Sequence, residues 1–169
     1  MFAIVKDGAI TATGTLKHLF PNTSFPGGVA NEEFKTTEGV MDIVQGERKN
    51  QTYYNSDQGD ITLVDGIPTQ QYAHSAKRLT DETIDGILHQ GLKTVMTDQV
   101  KYNAGQILSR TDWMVIRKAE RDVAIPSATA TYRAAVITEC ARLESAIAGA
   151  GDVDALATVM GSQNWPQEP

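Results

Sequence analysis

The chain has 169 residues, 41% hydrophobic and 21% charged, a balance that supports a packed core and argues against global disorder. Its net charge is −6 and its isoelectric point is near 5.0, with only the short basic patches Arg48-Lys49 and Lys77-Arg78 and the diluted run 117–121, so clustered cations for a phosphate backbone are missing and nucleic acid is not expected as a ligand. Cys140 is the only cysteine, which excludes an intrachain disulfide. The opening Met1–Lys6 lacks the charge-then-apolar order of a signal peptide, and no apolar run nears 18 residues, so no membrane association is expected.

Residues 1–78 read as a β-rich module. Phe2–Lys6 and Ala9–Thr13 flank Asp7-Gly8, the pair a tight type I′ hairpin turn selects because both central residues need φ > 0. The pattern returns where Ile61–Val64 meets Asp65-Gly66 and then Ile67–Tyr72. Pro68 cannot donate to a ladder, which places this strand at a sheet edge. Between the hairpins, Pro21, Pro26 and Gly27-Gly28 exclude a long regular element. Val40–Val44 is expected to be a short strand, and the polar residues 46–60 a surface loop.

Residues 79–169 read as a helical half. Ile84, Ile87, Leu88, Leu92, Val95, Met96, Val100, Ala104, Ile107 and Leu108 recur at three- and four-residue spacing, which predicts one apolar helix face. Thr80 and Asp81 supply capping side chains, and an unbroken helix over 80–109 would run about 45 Å at 1.5 Å per residue. Gly91 marks either a break or a close backbone approach. The stripe drifts around the helix, which argues against a long two-stranded coiled coil. A second helix is expected from Pro126-Ser127, with Tyr132, Val136, Cys140, Leu143 and Ile147 on its apolar face and Gly149 and Gly151 ending it. Asp152 then caps a short third helix carrying Val153, Leu156 and Met160, and the tail 161–169 is too short and proline-rich for another element. The fold class expected is therefore α+β: a small antiparallel β module, then two longer helices and one short one.

Catalytic and metal-binding patterns do not emerge, and the protein is not expected to be an enzyme. There is no nucleophile elbow, and Cys140 reads as a small core residue of an alanine-rich helix. His18, His74 and His89 fall on unlike elements, without metal-ligand spacing. Asn55, Asp57, Asp60 and Asp65 lack the central Gly position and terminal Glu of a calcium loop. No glycine-rich phosphate loop follows a strand. No cofactor and no metal are expected.

The run Tyr102-Asn-Ala-Gly-Gln-Ile107-Leu108-Ser-Arg-Thr111-Asp112-Trp113 resembles the Arg-x-x-Leu-Leu-x-x-Thr/Ser-Asp-Trp pattern of the tail-fibre assembly proteins, or tail assembly chaperones, of tailed bacteriophages. Asn103, Ile107, Leu108, Thr111, Asp112 and Trp113 fit, while Tyr102 stands at a usually basic position. Pro126 and Tyr132-Arg133 match the opening of the family's next helix, and Trp165-Pro166-Gln-Glu-Pro169 repeats its Trp-Pro-x-x-Pro ending. Ile137-Thr-Glu-Cys140 replaces the usual Leu-Arg-Asp-Ile-Pro. Upstream, Leu19-Phe-Pro-Asn-Thr-Ser24 and Glu38-Gly-Val40 are loosely similar to a β module found beside such helices.

The resemblance implies a protein that binds an unassembled tail-fibre polypeptide in the host cytoplasm and assists its folding or trimerisation, with self-association as a further expectation. Ile84, Leu88, Leu92, Val95, Leu108, Trp113 and Trp165 are the candidate partner-facing residues, since tryptophan and clustered apolar side chains dominate binding surfaces. The competing reading of Trp113 is a plug in the inter-helix core. The competing function is a structural fibre or baseplate component retained in the virion tail.

Overall fold

The computed structural model describes residues 1–169, which form two compact units, Met1–Ser75 and Ala76–Pro169. The first carries the β module and the second most of the helix, so the chain is α+β in the expected order.

In the first unit β1 (Phe2–Lys6) pairs antiparallel with both β2 (Ala9–Gly14) and β3 (Val40–Asp42). The β1–β2 turn is Asp7-Gly8, with φ of 51° and 72°, the left-handed pair that a two-residue hairpin demands. Helix α1 (Leu16–Leu19) is capped by Thr15, and α2 (Glu32–Glu38) by Asn31, whose Oδ1 accepts from Phe34 N at 2.8 Å. Leu16, Ala30 and Val40 form a buried cluster against Phe2, Ile4, Phe20, Phe25 and Phe34. Phe20, Phe25 and Phe34 meet edge to face, with centroids 5.0–6.3 Å apart, the arrangement the ring quadrupole favours.

A second sheet has the order β4-β6-β5, from β4 (Val44–Gln45), β5 (Tyr54–Val64) and β6 (Ile67–Ala76). Two expectations are corrected here. Residues 54–60 belong to a strand rather than to a surface loop. Pro68 lies fully buried in the central strand, not at an edge. Proline is tolerated there because β4 begins to pair only at Thr69, so the missing N–H removes no bond from that ladder. The polar strand is sustained by side chains: the buried Gln70 donates from Nε2 to Gly59 O at 2.6 Å and accepts from Gln58 Nε2 at 2.7 Å.

The second unit opens with a correction to the long helix expected over 80–109. Residues 82–89 are a hairpin, β7 (Glu82–Ile84) and β8 (Ile87–His89), turning at Asp85-Gly86 with φ of 51° and 78°. Helix α3 starts only at Leu92 and runs to Ser109. It lies antiparallel along α5 (Ser127–Gly149), with Lys93 Nζ on Ala148 O at 2.8 Å near one end and Leu108 O on Arg133 Nη1 at 2.8 Å near the other. Between them Leu92, Met96, Val100 and Ala104, one every four residues, face Tyr132, Val136, Leu143 and Ile147, the burial that a 3.6-residue period predicts. A further helix, α4 (Asp112–Arg121), joins α3 to the segment before α5 and buries no residue of its own. Asp152 caps α6 (Val153–Gly161), accepting from Ala155 N at 2.7 Å, and α6 buries Val153 and Leu156. No helix is long and apolar enough to cross a membrane.

Candidate partner-docking site

The corner between α3 and α4 is closed by one guanidinium from α5. Arg133 Nη1 donates to Leu108 O at 2.8 Å and to Thr111 Oγ1 at 2.6 Å, and its Nη2 lies 2.9 Å from Asp112 Oδ1. The Thr111 hydroxyl in turn donates to Leu108 O at 3.1 Å. Thr111 and Asp112 are therefore held against the helix pair, and the next residue, Trp113, faces outward with 53% of its surface exposed. The Arg117 guanidinium stands 4.8 Å from the centre of the Trp113 ring, within the range of a cation–π contact.

From there α4 presents an open apolar face. Ile116, one turn beyond Trp113, is 55% exposed; Val115, farther around the helix, and Val123, past its end, are exposed as well. The helix ends where Asp122 takes a left-handed conformation at φ 56°, donating its N–H to Lys118 O, while its carboxylate pairs with Lys118 Nζ. The helix is amphipathic, with Val115, Ile116 and Ala119 on one side and Arg117, Lys118 and Arg121 on the other, a period that the consecutive apolar run 113–116 masks in the sequence.

A second open surface is the β7–β8 hairpin, where every residue from 81 to 90 is exposed. Ile84 faces Ile87 across the strands, and Leu88 lies on the neighbouring register position. The arm is fastened at its base. Asp81 Oδ1 accepts from Gly91 N at 2.7 Å and from Thr94 Oγ1 at 2.8 Å, but the expected side-chain cap is not formed: Gly91 is the capping residue of α3, and the amides of Leu92 and Lys93 are met by the backbone carbonyls of Arg78 and Leu79. The Gly91 amide, and then the Thr94 hydroxyl, hold the Asp81 carboxyl below its ordinary range.

The sequence candidates thus divide. Ile84, Leu88, Val95 and Trp113 are exposed, whereas Leu92 is buried and Leu108 and Trp165 pack on the cluster of Ala104, Tyr132 and Val136. Trp165 is held there by its segment: Asn164 N donates to Glu139 Oε1 at 2.8 Å, and Arg142 Nη2 donates to Ser162 O at 3.0 Å. Glu139 is buried and receives both Arg142 Nε and Nη2 at 2.7 Å. The Arg142 bonds, then the Asn164 amide, hold its carboxyl below the ordinary range against the opposing effect of burial.

Several titratable groups are tied to one another. Burial, and then a hydrogen bond to Glu144, push the Cys140 thiol up, which disfavours the reactive thiolate. In the first unit a cleft of about 420 Å³ is lined by Glu32, Lys35 and Asp42, but Lys35 Nζ engages both carboxylates, at 3.1 and 3.4 Å. No group of three or more His, Cys, Asp or Glu side chains is arranged to hold a metal ion. Compared with protein-family models, curated proteins and solved structures, the chain matches none.

Proposed function

We propose that this chain is a tail-fibre assembly chaperone, acting by binding an unassembled fibre polypeptide and assisting its folding or trimerisation. The observation that supports it most is the half-exposed Trp113 at the head of α4, a helix anchored at its first turn by Arg133 and open along its apolar side. An aromatic anchor on a rigid support, beside a cation, is the composition of a binding hot spot. The exposed Ile84, Ile87 and Leu88 of the hairpin add a second apolar element with unpaired strand edges, suited to shielding the edges of a β-rich partner. In this reading the protein works in the host cytoplasm and is absent from finished particles.

The test is co-production of the chain with each fibre polypeptide encoded beside it. A fibre partner should gain solubility and be retained with the tagged chain on a column, and Trp113→Ala should abolish the retention. If no fibre polypeptide gains solubility or is retained, the reading fails.

A further inference from the structure

We propose that α4 recognises an acidic segment of its partner, with Trp113 and Ile116 taking an apolar side chain and Arg117 and Arg121 each taking a carboxylate. The inference rests on the proposed chaperone function and specifies the chemistry of the segment bound.

The argument is charge complementarity. On α4, Lys118 is already paired with Asp122, and Asp112 with Arg133. Arg117 meets only the Trp113 ring, and its Nε is shielded from water without an acceptor. Arg121 forms no ion pair, although the chain as a whole carries a net charge of −6. Two guanidinium groups without an ion-pair partner, set against the single unpaired carboxylate of Glu120, leave this helix locally positive in an acidic protein, and its open apolar residues lie beside them. Arginine is suited to this because its planar fork binds carboxylate in a fixed geometry and stacks on aromatic rings at the same time.

Spacing narrows the ligand further. Arg117 and Arg121 are four residues apart, about 6 Å along the axis, close to the roughly 6.6 Å between same-face residues of an extended strand. A segment with carboxylates at alternate positions and an apolar residue next on that face would meet Arg121, Arg117 and Trp113 in turn. Glu120, the remaining unpaired carboxylate of α4, lies between Ile116 and Trp113 around the helix and would repel a third acidic group, so the pattern stops at two.

The experiment uses the full chain and a fluorescent peptide in which leucine, then two glutamates, occupy alternate positions separated by threonines. A control peptide carries lysine in place of glutamate. Anisotropy should show the acidic peptide binding at least tenfold more tightly than the control. The double variant Arg117→Glu/Arg121→Glu should reverse that preference, and Arg117→Gln/Arg121→Gln should remove it. Raising the salt from 0.1 to 0.5 M should weaken the acidic complex several-fold. No binding of the acidic peptide, equal binding of the two, or binding unmoved by both variants overturns the inference. A fibre polypeptide retained by the chain while the acidic peptide is not would sink this inference and leave the chaperone function standing. Acidic peptide binding without any fibre partner would do the reverse.

Discussion

Arg133 and Asp112 are joined at 2.9 Å across 21 positions of sequence, and this pair holds the residue that precedes the outward-facing Trp113. Because the same guanidinium also binds Leu108 O and Thr111 Oγ1, the last turn of α3 and the first of α4 are fixed to α5 through one side chain. The Arg133 side chain is only 17% exposed, so these bonds are little diluted by water. Trp113 is therefore presented by a rigid corner, which reduces the ordering cost of any complex it forms.

Removing the guanidinium should cost stability. Arg133→Ala leaves the buried Thr111 and the Leu108 carbonyl without their charged donor, and a loss of about 2 kcal/mol is expected from urea unfolding. Arg133→Lys keeps the charge but not the fork, and should fall between. A loss below about 0.5 kcal/mol for the alanine variant, the range of an ordinary surface change, would mean that the corner is held by something else.

The two tryptophans should respond oppositely. Trp113 is half-exposed and outside the core, so Trp113→Ala should leave stability within about 0.5 kcal/mol of the parent while partner retention is lost. Trp165 packs on Ala104, Tyr132 and Val136, so Trp165→Ala should cost about 2 kcal/mol or more through the cavity left behind. Thermal melts of the pair, read beside retention of a co-produced fibre polypeptide, check both. A destabilised Trp113→Ala protein would return that residue to the role of a core plug.

Local chemistry is legible in the sequence, and long-range pairing is not. Asp7-Gly8 and Asp65-Gly66 announce their turns, and the Ala-rich face of Tyr132, Val136, Leu143 and Ile147 announces α5. Asp85-Gly86 carries the same hairpin signature, but Ile84, Ile87 and Leu88 also fit helical spacing with Leu92, Val95 and Met96. A short apolar run is ambiguous between the two periods, and there the turn residues are the better guide. The first part of β5, residues 54–60, escapes a local reading because it is almost wholly polar, stabilised by partners such as Gln70 on the neighbouring strand. The α3–α4 corner is half visible: Thr111, Asp112, Trp113 and Arg133 all stand out as a pattern, yet nothing local tells that Arg133 grips the first two while the third faces outward.

Gly91 gives a test of one close approach. Its φ is −85°, ordinary for any residue, but a Cβ there would fall 2.3 Å from Thr80 C and 2.5 Å from Thr80 O. Gly91→Ala should therefore destabilise by about 2 kcal/mol, the cost of forced overpacking, although glycine-to-alanine changes usually stabilise where the backbone accepts them. Gly105, inside α3, is the control, because a Cβ added there would meet nothing within 4 Å. Gly105→Ala should gain about 0.5–1 kcal/mol. Chemical denaturation of the two variants checks the contrast, and equal gains would show that the Thr80 backbone yields freely.

Acid should release the C-terminal segment through Glu139. Its carboxyl is held below the ordinary value of 4.5 by the Arg142 hydrogen bonds and then by the Asn164 amide, so the folded state favours the ionised form. A depressed folded pKa contributes stability that is fully present above the unfolded value and is lost as pH falls through the folded one. Asp81 and Glu144 are shifted in the same direction, by Gly91 and Lys101 respectively, so global stability should also fall in acid and cannot by itself identify Glu139. The specific readout is Trp165, one residue from the Asn164 amide that Glu139 binds. In a Trp113→Phe background its emission should shift to the red as pH drops below about 4.5. Adding Glu139→Gln, which cannot ionise, should remove most of that shift and leave Trp165 more exposed already at neutral pH. An unchanged acid shift in the glutamine variant would show that the tail is held by its apolar contacts alone.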